Sequence, residues 1–332
     1  MDAVVTGCAG FIGGHLTRRL LEDGWNVVGI DALRPYYDPS EKLDGLTELR
    51  NHPRFTFVCG DLVATELPPY FSSETVVFHL AAQPGVRGSF GETFAQYTHD
   101  NILATQKVFE AAIASHVPRV VFASSSSVYG DAVDYPCVEG ASLPQPRSPY
   151  GVTKATCEQL ASVYRQLGLE TVGLRYFTVY GPGQRPDMAM RRLCEAALGG
   201  PLFQLFGDGR QSRDFTYVTD VVDATIRAGT AASPAPIINI GGGQEATMLD
   251  VIDTISSFEG AELSIEPGKF QQGDVRRTGA DTSVAQNTLG WTPRVGLIDG
   301  LRAEFDWVKD RRSGALLDLV SLPVMAVTPE SQ

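Results

Sequence analysis

At 332 residues, 43% of them hydrophobic and 20% charged, the chain predicts one large or two interlocked domains around a sizeable core. A formal charge of −12 excludes a general nucleic-acid or anionic-membrane binder, although a local basic pocket for a phosphate remains compatible with it. The five cysteines are scattered without a CxxC pair, pointing to a reducing, cytoplasmic setting, and the five histidines show no metal-binding spacing.

In chain order, "AVVTG" predicts a strand, "GGHLTRRLLEDG" a helix closed by Gly24, and "NVVGID" a second strand. "FTFVCGD", "TVVFHLAA", "RVVFASS" and "TVGLRYF" are further β-branched or aromatic runs, separated by helical stretches such as "ILATQKVFEAAIASH". Strands alternating with crossover helices predict an α/β fold with a parallel, doubly wound sheet. After about residue 178 the pattern loosens into Gly- and Pro-rich segments, "GPGQRP" and "FGDGRQSRDF". The expectation is a cofactor-binding domain over 1–178 and a smaller, discontinuous substrate-binding domain over 179–314. The apolar run "APIINIGG" at 235–242 is expected to return to the first sheet, and 315–332 is read as a tail without assigned structure.

Between the first strand and helix, "TGCAGFIGG" places GxxGxxG at Gly7, Gly10 and Gly13, with Phe11 and Ile12 in the spaces. There the chain must turn tightly, the backbone must approach a pyrophosphate, and the helix must pack close to the sheet. The helix N-terminus adds unpaired N–H groups and a positive dipole end. Asp31 closes the second strand 18 residues beyond the last glycine, where a carboxylate accepts both ribose hydroxyls and repels a 2′-phosphate. NAD is therefore favoured over NADP, with Arg34 the one opposing feature. Asp61 and Leu62, then Leu80, Ala81, Ala82 and Gln83, end later strands where adenine and nicotinamide-ribose contacts would fall. Asp61 reads equally well as a turn residue, and Asn101 and Tyr176 complete the cofactor-side candidates.

"SPYGVTKATCEQLA" puts Tyr150 and Lys154 four residues apart on one helix face, downstream of Ser125 at the end of "RVVFASS". Tyrosine, with a reference pKa near ~10, is a poor base at neutral pH. A nearby ammonium and a positive nicotinamide ring stabilise a phenolate and so create a base for a sugar hydroxyl. Lys154 is also placed to hold the nicotinamide ribose, and Ser125 to orient the substrate hydroxyl.

"TGCAGFIGG", "SSSSVYG", "SPYGVTK" and "RDFTYVTD" together resemble the extended short-chain dehydrogenase/reductase family, in particular its nucleotide-sugar epimerases and dehydratases, over roughly residues 1–312. The resemblance implies a Rossmann-type sheet with tightly held NAD and a UDP-sugar substrate in a smaller α/β domain. It also implies that Arg213 binds diphosphate while Phe206, in "FGDG", lines the nucleoside pocket. On sequence alone Arg213 reads nearly as well as a surface arginine. Family members are often homodimers through helices equivalent to "ILATQKVFEAAIASH" and "GVTKATCEQLASVYRQL", although a core-facing stripe explains the same apolar pattern.

The shared first step in such enzymes makes a 4-keto sugar, which can be reduced on its other face, dehydrated or decarboxylated. Dehydratases resembling this chain carry Asp-Glu directly after the strand-end hydroxyl, and decarboxylases a Glu two places on. Here those places hold Ser126 and Ser127, neither of which replaces a carboxylate acid or base. A 4-epimerase is expected. "LRYFTVYGPGQRPDMAM" and "LAAQPGVRGSF" resemble UDP-glucuronate 4-epimerases, whereas UDP-glucose 4-epimerases tend to have Asn-Pro where Thr178 and Val179 stand. Ser127, Thr178 and Arg185 are the candidates for holding a 6-carboxylate, the latter two reading otherwise as a strand-end hydroxyl and a loop cation. Gly88 departs from the usual bulky neighbour of Arg87, a further substrate-side candidate, and Asp274 faces the nucleoside ribose or serves only a turn. The implied reaction interconverts UDP-glucuronate and UDP-galacturonate. Its rivals are a UDP-glucose or UDP-N-acetylhexosamine 4-epimerase, a decarboxylase, and a silent nucleotide-sugar- or NAD-binding regulator.

Overall fold

The computed structural model describes residues 1–140 and 145–314, so the expected tail lies outside the described residues. The chain begins β1 (Asp2–Thr6), α1 (Phe11–Glu22), β2 (Asn26–Asp31), α2 (Pro39–Arg50), β3 (Phe55–Cys59), β4 (Thr75–His79). It continues α3 (Phe94–Tyr97), α4 (Ala104–Ala114), β5 (Arg119–Ser125), α5 (Pro149–Gln166), β6 (Thr171–Tyr176), β7 (Thr178–Tyr180), α6 (Ala189–Ala197). Then come β8 (Phe203–Phe206), β9 (Ser212–Tyr217), α7 (Val218–Thr230), β10 (Ile237–Ile240), β11 (Glu245–Thr247), α8 (Met248–Ser256), β12 (Ile265–Gly268), α9 (Ser283–Leu289), α10 (Leu297–Arg312).

Seven strands form one sheet in the order β10-β6-β5-β4-β1-β2-β3, and every pairing within it is parallel. Both faces are covered, as a parallel sheet requires. On one face Ala3, Val5, Phe78 and Val121 pack with Leu16 and Leu20 of α1 and Val221 and Ala224 of α7. On the other, Val4, Val77, Val120 and Phe122 meet Val108 and Phe109 of α4 and Cys157 and Ala161 of α5. The alternation of Ala3, Val4 and Val5 between the two cores is the period-2 geometry of a strand. The order reverses between β1 and β4, so the crevice at the carboxyl ends of these strands is where a doubly wound sheet binds ligand.

The expected return of 235–242 takes place as β10 beside β6, and α7 joins it on the same sheet. Beyond β6, β11, β9 and β7 form a three-stranded sheet and β12 pairs with β8. Leu193, Val251, Ile255, Leu301 and Phe305 gather α6, α8 and α10 into a separate core.

The stretch after β2, which carries little apolar periodicity, forms the helix α2. Asp38 accepts the Ser40 N–H at 2.9 Å as its N-cap, and Pro39 occupies the first turn, where its missing N–H costs nothing. The helix expected over 102–116 is shorter, running from Ala104 to Ala114 after a wider π-type turn at Thr98–Leu103.

Candidate active site

The carboxyl-end crevice is a cleft of about 390 Å³. Gly7, Gly10, Phe11, Ile12, Gly13, Asp31, Asp61, Leu62, Leu80, Ala81, Ala82 and Gln83 line one side. Ser125, Ser126, Ser127, Tyr150, Lys154, Tyr176, Thr178 and Arg185 line the other. Residues scattered over most of the sequence thus converge because each follows or precedes a strand end on the same edge.

Two glycines shape the cradle. Gly7 has φ +74°, and a Cβ there would lie 2.8 Å from the Ala81 nitrogen. A Cβ on Gly13 would lie 2.0 Å from the Gly7 carbonyl oxygen, so the first turn of α1 tolerates no side chain against the loop. At the far wall, Asp31 accepts the N–H groups of Ala9 at 3.1 Å and Leu33 at 2.8 Å. These contacts fix its carboxylate at the cleft with lone pairs remaining for a diol.

Arg34 donates to Asp61 at 2.9 Å and Asp100 at 3.2 Å, so its charge is already engaged and does not offer a ready site for a 2′-phosphate. Asp61 also accepts the Val63 N–H at 3.0 Å, making it both a turn residue and part of the cleft wall.

At the other end, Ser148 caps α5 by accepting the Gly151 N–H at 3.1 Å and sets Tyr150 in its first turn. Lys154 lies with its ammonium 5.9 Å from the centre of the Tyr150 ring and donates to the Ala123 carbonyl at 2.8 Å. Ser125 ends β5, and its Oγ accepts the Ser127 N–H at 3.1 Å. The serine run therefore caps a turn and presents hydroxyls to the cleft at once. Asp31, Asp61 and Asp100 are the lining carboxylates among the described residues. Asp31 ends β2, three strand spacings from β5, or roughly 14 Å.

Arg185 faces the cleft but is held by Asp187 through two bonds of 3.0 and 3.1 Å, and the Tyr36 hydroxyl donates to the same carboxylate at 3.2 Å. A loop cation and a cleft cation are here the same residue.

Asn101, expected among the cofactor contacts, is buried and is not among the residues that line the cleft. Its Oδ1 accepts the Gln83 N–H at 2.7 Å, and its Nδ2 donates to the Gln83 carbonyl at 3.1 Å and to Thr153 Oγ1 at 2.9 Å. It pins the strand-end loop to α5. Arg87, Phe206, Arg213 and Asp274 also lie outside that lining and form a cluster of their own. Arg87 pairs with Asp274 at 2.9 Å and stacks 4.2 Å above the Phe206 ring. Arg213 donates to the Ser212 carbonyl at 2.8 Å, and burial pulls its pKa below the usual arginine value, with Asp274 opposing.

Lys42, Tyr36 and Tyr37 line the cleft without having been expected there. Lys42 is buried with its ammonium 5.1 Å from the Tyr37 ring, and desolvation lowers its pKa. Burial pushes both tyrosines up to about 12. The Asp38-Pro39 start signal of α2 was the available clue, since it places Lys42 in that helix's first turns.

The NAD dependent epimerase/dehydratase family matches residues 3–241. The UDP-glucuronic acid 4-epimerase of Bacillus cereus, solved in complex with UDP-glucuronic acid and NAD, is 40% identical with a TM-score of 0.89, covering 94% of this chain and all of that one. A Bacillus subtilis protein named as an uncharacterized UDP-glucose epimerase, YtcB, is 42% identical over 95% of this chain and 100% of its own length. The UDP-glucuronate 4-epimerase of Thermodesulfobacterium geofontis is 36% identical over 92% of this chain and 96% of its own length.

Proposed function

We propose that this chain, which belongs to the NAD dependent epimerase/dehydratase family, interconverts UDP-glucuronate and UDP-galacturonate with NAD as a recycled prosthetic group. The observation that carries the reading is the hydroxyl-only run Ser125 to Ser127 on the same side of the cleft as Tyr150 and Lys154, with the lining carboxylates among the described residues, Asp31, Asp61 and Asp100, coming from other segments. The cleft fits a dinucleotide: Gly7 and Gly13 leave no room for side chains where a pyrophosphate approaches, and Asp31 is fixed for a ribose diol.

When bound, NAD supplies a reversible hydride acceptor for carbon 4 of the sugar. Tyr150 takes the 4-hydroxyl proton and later returns it to the same oxygen. The Lys154 ammonium stabilises the phenolate form from which Tyr150 accepts that proton, and the Ser125 hydroxyl holds the oxygen in line. Ser126 and Ser127 bring no carboxylate to drive loss of water. Thr178 and Ser127, with Arg185 beyond them, are assigned to the 6-carboxylate, fixing it away from the orientation that expels carbon dioxide. Arg213 and Arg87 are assigned to the diphosphate, Phe206 and Asp274 to the nucleoside. The same reading carries a homodimer through α4 and α5, the latter leaving Val152 46% and Val163 52% exposed. Five unpaired cysteines fit work in the cytoplasm.

The likeness to the YtcB protein named a UDP-glucose epimerase supports a second reading, a UDP-glucose 4-epimerase. Separate incubations with UDP-glucuronate and UDP-glucose decide between them. Galacturonate product from the first is expected; galactose product from the second alone would replace the substrate assignment.

A further inference from the structure

Behind the cleft, α5 carries a third member of the Tyr150–Lys154 stripe. Glu158 follows Lys154 by one helical turn and so lies on the same face, deeper in the protein. It is buried, and so is its partner Arg175 on β6, with only 5% and 4% of their side chains exposed. The pair is bidentate: Arg175 Nε donates to Glu158 Oε1 at 2.8 Å and Nη2 to Oε2 at 2.7 Å. Ser124 donates its hydroxyl to Glu158 Oε1 at 2.5 Å. Ser124 and Arg175 are register partners on adjacent strands, so one carboxylate spans both. Arg175 in turn lies 4.7 Å from the centre of the Tyr129 ring and donates to the Glu139 carbonyl at 3.4 Å, reaching the segment that follows the serine run.

Stability does not account for this pair. Two desolvated charges in good geometry roughly cancel their own burial cost, and apolar residues of similar volume commonly do as well or better. Position does account for it. Lys154 is tied to Ala123 and Glu158 to Ser124, consecutive residues of β5 directly before Ser125. Sliding α5 along the sheet would break both ties and the bidentate pair together. We propose that the Glu158–Arg175 pair is a positioning device that sets Tyr150 and Lys154 of α5 against the Ser125 end of β5. The proposal rests on the epimerase reading for its kinetic test, since it concerns the residues that reading makes catalytic.

The test uses the full chain with three variants: Glu158→Gln, Arg175→Met, and Glu158→Leu combined with Arg175→Met. The double variant leaves no unpaired charge, so it stays informative where the single ones unfold. It is expected to keep the wild-type unfolding midpoint, bound NAD and KM, while kcat falls roughly 10- to 100-fold, as for a small misplacement of reacting groups. The acid limb of its kcat profile is expected to move to higher pH, because Lys154 then supports Tyr150 less well. Amide hydrogen exchange over 150–158, which needs no substrate, is expected to quicken in that variant. Wild-type kcat with an unshifted profile and unchanged exchange would make the pair a space filler. A double variant that does not fold would make it a stability element. Either result overturns the proposal. Wild-type protein that turns over no UDP-sugar in the same assay sinks the epimerase reading instead, and the exchange measurement then decides the positioning on its own.

Discussion

Replacing Glu304 by Gln should remove a large pH dependence of stability. Glu304, on α10, is fully buried; one carboxylate oxygen accepts the Gly181 N–H at 2.9 Å and the other has no hydrogen-bond partner among the described residues. Burial pushes its pKa from 4.5 up to about 8, against the opposing pull of the Gly181 N–H and Arg191. Tyr180, Tyr217 and Cys194 also face it and are themselves pushed up, chiefly by burial. Because the folded value is the higher one, the folded protein keeps a proton that the unfolded chain has lost. The stabilising effect is complete below about pH 4.5 and disappears as the pH rises through about 8. At about 1.4 kcal/mol per pH unit over that window, the loss amounts to about 5 kcal/mol. Glutamine keeps an oxygen for Gly181 and cannot ionise. Urea unfolding at several values between pH 5 and 9 should give the variant a shallower fall, its advantage over wild type growing with pH and levelling above 8. Parallel pH profiles would refute the argument.

Tyr150→Phe should lower kcat at least about 100-fold while NAD stays bound, read by turnover and by cofactor released on denaturation. Asp31→Ala should weaken NAD retention about 10- to 100-fold, the range for losing hydrogen bonds to a charged acceptor, as measured by equilibrium dialysis. Ser127→Glu returns a carboxylate to the serine wall, and carbon dioxide release from UDP-glucuronate should rise above the wild-type level; no change in the product mixture would count against the reading of that wall.

The sheet was readable because its strands are buried on both faces and write near-continuous apolar runs, so "RVVFASS" coincides with Arg119–Ser125 and "NVVGID" with Asn26–Asp31. The convergence of Gly7, Asp31, Ser125 and Tyr150 was readable for the same reason: each lies at or just beyond a strand end, or at the start of a helix following one, and the parallel sheet brings them to one edge. Pairings across long separations were not. Arg34 looked like a hint of NADP until Asp61 and Asp100, remote in sequence, were found to hold it. Arg87 and Asp274, 187 residues apart, meet each other in a cluster outside the main cleft lining. Asn101 bonds Gln83 and Thr153, partners 18 and 52 residues away that its own stretch does not reveal. A polar side chain's residue type states what it can bond, and only the fold states what is within reach.

The reading stands most directly on the fate of the hydrogen at carbon 4. UDP-glucuronate deuterated at that position, incubated with the protein and analysed by NMR and mass spectrometry, should yield UDP-galacturonate that keeps the deuterium at carbon 4. Neither carbon dioxide nor NADH should build up. Exchange of the label into water, net NADH, or a decarboxylated sugar as the main product would contradict it.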